Sequence, residues 1–110
     1  MASNEEYLEY IKDQLSGLGE FETKKMFGGH GFFKDGLMFG MLGSGIFRLK
    51  VDESNEQDYI DKGMKPYYSD KKKKGMPYWE VPTDVLEDAA ELSKWASKSV
   101  NIAIKAASDK

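Results

Sequence analysis

The stretch Phe32-Phe33-Lys34-Asp35-Gly36-Leu37-Met38-Phe39 constrains the fold more than any other part of the chain. Asp-Gly between two apolar runs is the strongest short-range hairpin signal, because both residues tolerate the positive φ that a correctly twisted two-residue turn demands. With Asp35 and Gly36 as the loop, counting outward sets Lys34 against Leu37, Phe33 against Met38, Phe32 against Phe39 and Gly31 against Gly40. The same count puts His30 opposite Met41. A further strand, Ile46 to Val51, follows the Gly43-Ser44-Gly45 turn. Its alternation places Phe47, Leu49 and Val51 on one face, with Arg48 and Lys50 on the other. This region reads as a three-stranded antiparallel meander with one wet face.

Helical periodicity flanks the meander. Ser3 and Glu6 have capping-box spacing; Leu8, Ile11, Leu15 and Leu18 then form one apolar stripe, which Gly17 and Gly19 end. Ser54 and Gln57 predict the cap of a second, short helix that Gly63 stops. Two strands around 64–69 and 76–81 come next, with Pro66 and Pro77 favouring edges or strand starts. Pro82 ends the last strand. Asp88 with Glu91 caps a final helix whose inner stripe is Leu92, Trp95, Ala96, Ser99, Ile102, Ala103 and Ala106. The predicted order is α-β-β-β-α-β-β-α, an α+β, two-layer domain with helices packed on one face of an antiparallel five-stranded sheet. The 110 residues hold one such domain, residues 1–110 with a core of about 3–106.

Composition narrows the chemistry. The chain has no cysteine and one histidine, which removes disulfides, thiol nucleophiles and thiolate metal sites and forces any triad or imidazole centre through His30. The sequence begins Met1-Ala2-Ser3-Asn4-Glu5-Glu6 without a secretory pattern, and it holds no apolar run of about 18 residues that could cross a bilayer. A cytoplasmic protein with no membrane contact is the expectation. The acidic run Asp52-Glu53-Glu56-Asp58 lacks the glycine-centred layout of a calcium loop and reads as a solvated helix start. No cofactor or metal is expected, and no catalytic constellation emerges, so the expectation is a protein without enzymatic activity.

Three local features invite a binding role. Gly28-Gly29-His30-Gly31 matches neither the dinucleotide fingerprint nor the P-loop, and reads first as close backbone approach within a sheet. A glycine-lined cleft near Gly29, Gly31 and His30 is the small-ligand reading, and it needs a pocket with convergent carboxylates. Lys71, Lys72, Lys73 and Lys74, flanked by Tyr67-Tyr68 and Tyr78-Trp79, combine counterion release with stacking platforms. That gives an alternative function, a nucleic-acid-binding accessory module using those lysines with Tyr68 and Trp79. Against it stands a solvated turn that keeps an edge from aggregating, in a chain of net charge −3. Finally, Met26, Met38, Met41, Met64 and Met76 fit either core filling or an adaptable binding surface.

The run Lys25-Met26-Phe27-Gly28-Gly29-His30-Gly31-Phe32-Phe33-Lys34-Asp35-Gly36-Leu37-Met38-Phe39-Gly40 resembles the TfoX/Sxy N-terminal domain family. The shared pattern is a basic residue before Met26, Phe27, Gly28 and Gly29, then Gly31, the Asp35-Gly36 turn, and the Met38-Phe39 pair. Leu49-Lys50-Val51-Asp52, Tyr78-Trp79-Glu80-Val81-Pro82, Asp84-Val85-Leu86-Glu87-Asp88 and Trp95-Ala96 also look like that family. The resemblance implies a compact α+β domain and a connection with the regulation of natural competence. The full-length regulators carry a second, helical domain, for which 110 residues leave no room. The resemblance carries no catalytic residues. The leading expectation is a non-enzymatic protein-interaction or regulatory domain, a homodimer or the receiver of a protein partner whose identity the sequence does not give.

Overall fold

The computed structural model describes residues 4–26, 29–64, 66–68 and 75–108. The Ser3 cap, Phe27, Gly28 and the Lys71–Lys74 turn lie outside the described residues. Helix α1 spans Asn4–Gln14 and continues into a 3-10 turn, Ser16–Leu18, which Gly19 closes at φ +88°. The expected stripe is buried: Ile11 and Leu15 are fully enclosed, and Leu8 and Leu18 pack on the core from its rim.

Among the described residues six strands form one sheet: β1 Glu22–Met26, β2 Gly29–Lys34, β3 Leu37–Gly43, β4 Ile46–Lys50, β5 Pro66–Tyr68 and β6 Gly75–Glu80. All the pairings are antiparallel, in the order β1-β2-β3-β4-β6-β5. The α+β class and the antiparallel sheet are as expected. The sheet has one strand more than predicted, because Glu22–Met26 pairs along β2 as an edge strand and the meander has four strands rather than three.

Both hairpin turns in the meander use the left-handed region at two consecutive residues, Asp35 and Gly36 at φ 53° and 81°, Ser44 and Gly45 at 52° and 75°. This is the backbone of a type I′ turn, whose twist matches that of the flanking strands. The predicted register holds next to the first turn, with Lys34 opposite Leu37 and Phe33 opposite Met38. It then slips by one. Phe32 faces Gly40 rather than Phe39, Gly31 faces Met41 rather than Gly40, and His30 faces Leu42 rather than Met41. Phe39 is thus the extra residue of a β-bulge. Gly40 suits the place the slip gives it: a Cβ there would lie 3.0 Å from the Arg48 carbonyl oxygen and 3.2 Å from Leu49 Cδ2. The ring of Phe32 occupies the helix side of the sheet opposite a residue without a side chain.

Between β4 and β5 the chain makes helix α2, Glu56–Ile60, and after β6 a short helix α3, Thr83–Leu86, leads to the long helix α4, Ala89–Ser108. The predicted Ser54–Gln57 capping box is not made. Asn55 is the cap residue of α2 without a side-chain cap bond, and its Oδ1 accepts from the Asp52 amide instead. The Asp88 cap does form, with Oδ1 accepting from the Glu91 amide. Leu92, Ala96, Ser99, Ile102 and Ala103 of α4 are buried as expected; Val100 joins them, while Ala106 is exposed. The core sits between α1, α4 and one sheet face. At its centre Phe32 meets Phe47 edge-on at 5.0 Å between ring centroids and Phe39 at 6.2 Å, a geometry that aromatic quadrupoles favour.

Candidate functional site: an open sheet face and a cleft behind it

Pairing and alternation fix which side chains leave the core. Opposed residues share a face, so the register Lys24–Gly31–Met41–Arg48–Glu80 runs across five strands on the side away from the helices. Glu22, Met26 and Phe33 lie on the same side by pairing or two-residue spacing, as do Met38, Lys50 and Tyr78, but Tyr78 is buried and these last three border a cavity against Ala103, Ala106 and Ala107 of α4. Apart from the buried Tyr78, none of these residues is part of the buried core. Their arrangement is ordered around Gly31. A Cβ at that position would sit 2.8 Å from both Met26 Sδ and Phe33 Cε1, so those two side chains fill the notch that glycine leaves. The Lys24 ammonium lies 5.1 Å from the centroid of the Phe33 ring, and Lys50 stands 5.4 Å from that of Tyr78. The face thus combines a thioether and phenyl centre with a rim of both charge signs: Glu22 and Lys24 on one flank, Arg48, Lys50 and Glu80 on the other.

On the helix side of the sheet, Lys25, His30 and Leu42 are aligned across β1, β2 and β3. The first two turns of α1 lie over them. Together with Glu5, Tyr7, Gly29 and the Gly43-Ser44-Gly45 turn they enclose a cleft of about 290 Å³. Burial pushes the Tyr7 phenol above its ordinary value, with Tyr10 and then Glu80 adding repulsion against the phenolate. Leu42, 5% exposed, belongs to the core at the back of the cleft.

The residues expected to matter divide between these places. Met26, Gly31 and Met38 build the open face, while Phe39 is fully buried and Asp35 and Gly36 make the turn. Gly29 lines the cleft. Trp79, the aromatic expected to stack on a base, pairs with Leu49 on the helix side and packs against Tyr59 at 5.9 Å. Nothing is described of the Tyr68 side chain or of Lys71, Lys72, Lys73 and Lys74. Sequence reasoning missed Phe33 and Lys24 as one unit, and Glu5, Tyr7 and Lys25 as neighbours of His30. The period-two alternation of β1 and β2 could have signalled the first group; the second depends on how α1 crosses the sheet.

Among the described residues there is no group of three or more His, Asp or Glu able to hold a metal ion. No helix there is long and apolar enough to cross a membrane. The described residues form a small α+β domain with helices on one face of an antiparallel sheet. The TfoX N-terminal domain model matches residues 13–103, and the chain belongs to that family. A comparison with curated proteins gave no match.

Proposed function

We propose that the protein is a non-enzymatic, cytoplasmic interaction domain that works as a homodimer joined through the open sheet face. The observation that carries this reading is the self-complementarity of that face. Two copies packed face to face about a twofold axis parallel to the strands would set β1 of each over β4 and β6 of the other. With the axis along β3, Lys24 of one copy meets Glu80 of its partner, and Met41 meets its own copy. Methionine suits such a contact, being flexible and polarisable. Five strands about 4.8 Å apart, each of about five residues rising 3.3 Å, cover roughly 400 Å² per copy. That is about half of the roughly 800 Å² per partner of a standard interface, so the dimer is reversible and concentration-dependent.

Membership of the TfoX N-terminal domain family supports a regulatory role, connected in the longer regulators with natural competence. The nucleic-acid alternative loses support from the engagement of Trp79 with Tyr59. Sedimentation velocity over a range of concentrations tests the dimer: a reversible monomer–dimer equilibrium is expected, abolished by Met41→Lys with thermal unfolding little changed. A monomer at every concentration would overturn it. Binding of a labelled single strand at low salt would instead favour the lysine-rich turn.

A further inference from the structure

The cleft under α1 has a chemical polarity that the interaction face does not use. Glu5 projects from the first turn of the helix, and Lys25 and His30 stand side by side on the sheet. Lys25 is the cation of this group and Glu5 its anion, and among the described residues neither takes part in an ion pair, with the other or with any third residue. Two opposite charges border about 290 Å³ of open space without closing on one another. Glycine keeps that space open. Gly43 and Gly45 contribute no side chain to the wall, and a Cβ at either would meet nothing within 4 Å. At Gly29 a side chain is excluded outright by the Leu42 carbonyl. Leu42 supplies an apolar surface at the back, and the Tyr7 and Ser44 hydroxyls add neutral donors and acceptors.

We infer that this cleft binds a small zwitterion of the free α-amino acid type. Its carboxylate lies against the Lys25 ammonium and the His30 ring, its ammonium against the Glu5 carboxylate, and its side chain over Leu42. A simple anion would satisfy Lys25 and bring a second negative charge close to Glu5; a simple amine would do the reverse. Only a ligand with both charges complements both walls, and its two charge-assisted contacts are the stronger kind of hydrogen bond. The site lies behind the sheet from the proposed dimer face, so the two can be tested separately.

The test is an amide NMR titration of the labelled full chain with L-leucine, with acetate, methylammonium and inorganic phosphate as single-charge controls. Saturable shifts at Gly29, His30, Gly43 and Gly45 are expected with leucine and with none of the controls. Alanine should bind more weakly than leucine, because it covers less of Leu42. Glu5→Gln and Lys25→Gln are each expected to weaken leucine binding about tenfold, the discount for their exposure included. The double exchange Glu5→Lys with Lys25→Glu is expected to recover most of that loss. Glu5 and Lys25 are exposed, so the variants stay folded, which the amide spectrum itself reports. Absence of saturable shifts with leucine, equal shifts with acetate or phosphate, or indifference to Glu5→Gln would each overturn the inference.

Discussion

Gly29 runs so close to Leu42 that a Cβ on the glycine would lie 2.1 Å from the leucine's carbonyl oxygen. No rotamer relieves a clash between Cβ and backbone, so Gly29→Ala must push β2 away from β3 or break the His30–Leu42 pairing. A cost of about 2–4 kcal/mol is expected, in the range of overpacked sites. Gly43 is the control on the neighbouring strand. A Cβ there meets nothing, and Gly43→Ala should be neutral or stabilise by up to about 1 kcal/mol through the unfolded chain. Urea unfolding of the two variants separates the cases.

Ser99, fully buried on α4, donates its hydroxyl to the Lys50 carbonyl oxygen at 2.7 Å and so ties the long helix to the end of β4. Ser99→Ala leaves that acceptor with only the longer bond from Asn55 Nδ2, at 3.3 Å, and should cost about 0.5–1.5 kcal/mol. Faster amide exchange at the β4–β6 pairing would accompany it, and unchanged exchange there would show that the tie is dispensable.

Tyr59 presents the opposite situation. Its ring packs edge-on against Trp95 at 4.6 Å, yet its buried hydroxyl makes no hydrogen bond of ordinary geometry. Burial pushes the phenol far above its ordinary value, with the Ser99 hydroxyl opposing and Asp58 reinforcing the shift. Because the group stays protonated in the folded state, it is neutral toward stability below pH about 10 and destabilising above, where the unfolded chain ionises first. The Tyr7 and Tyr78 phenols are raised in the same direction, chiefly by burial. Stability should therefore fall on the alkaline side, and Tyr59→Phe should flatten that fall. At neutral pH the same variant should be neutral or more stable by up to about 1 kcal/mol, since it removes a buried polar group without a partner. Thermal unfolding as a function of pH measures both.

Asp52 accepts from the hydroxyl and the amide of Ser54. Chiefly the hydroxyl, with the amide and Lys105 assisting, holds the carboxyl below the usual carboxylate value. A lowered value contributes stability above the unfolded one, near 3.8, that is lost as the solution is acidified through the folded one. In Ser54→Ala the carboxyl resonance of Asp52 should titrate at higher pH, and an unmoved midpoint would exclude the hydroxyl as the cause.

Local chemistry was readable from the sequence wherever it acts locally. Asp35-Gly36 determines its own turn, Asp88 caps the helix that begins beside it, and the Ile11–Leu15 spacing finds the core whatever lies opposite. Contacts made at a distance were not readable. The expected pairing of Phe32 with Phe39 gives way to a bulge that leaves Phe32 opposite Gly40, which runs close to Arg48 and Leu49 on another strand. Strand β1 has no apolar alternation of its own and is recruited by the exposed side of β2. For the cleft, the glycines and His30 were visible as an unusual cluster, but Glu5 and Tyr7 join them only because α1 crosses that end of the sheet. Ser54 looked like a cap by spacing, but its hydroxyl went to Asp52 and the neighbouring Asn55 took the cap position.

The bulge at Phe39 acts as a phase shift in the strand. Without it, residues three apart on β3 would point in opposite directions. With it, Phe39 and Leu42 both face inward, and Met38 and Met41 both face outward. The extra residue therefore decides which half of β3 is core and which half is surface. Regular pairing of the same residues, with Phe39 opposite Phe32, would exchange the roles of Met41 and Leu42, turning the thioether inward and the isobutyl group toward solvent. That regular pairing would dismantle both surfaces at once, the open face losing its centre and the cleft its apolar wall, although neither surface includes Phe39.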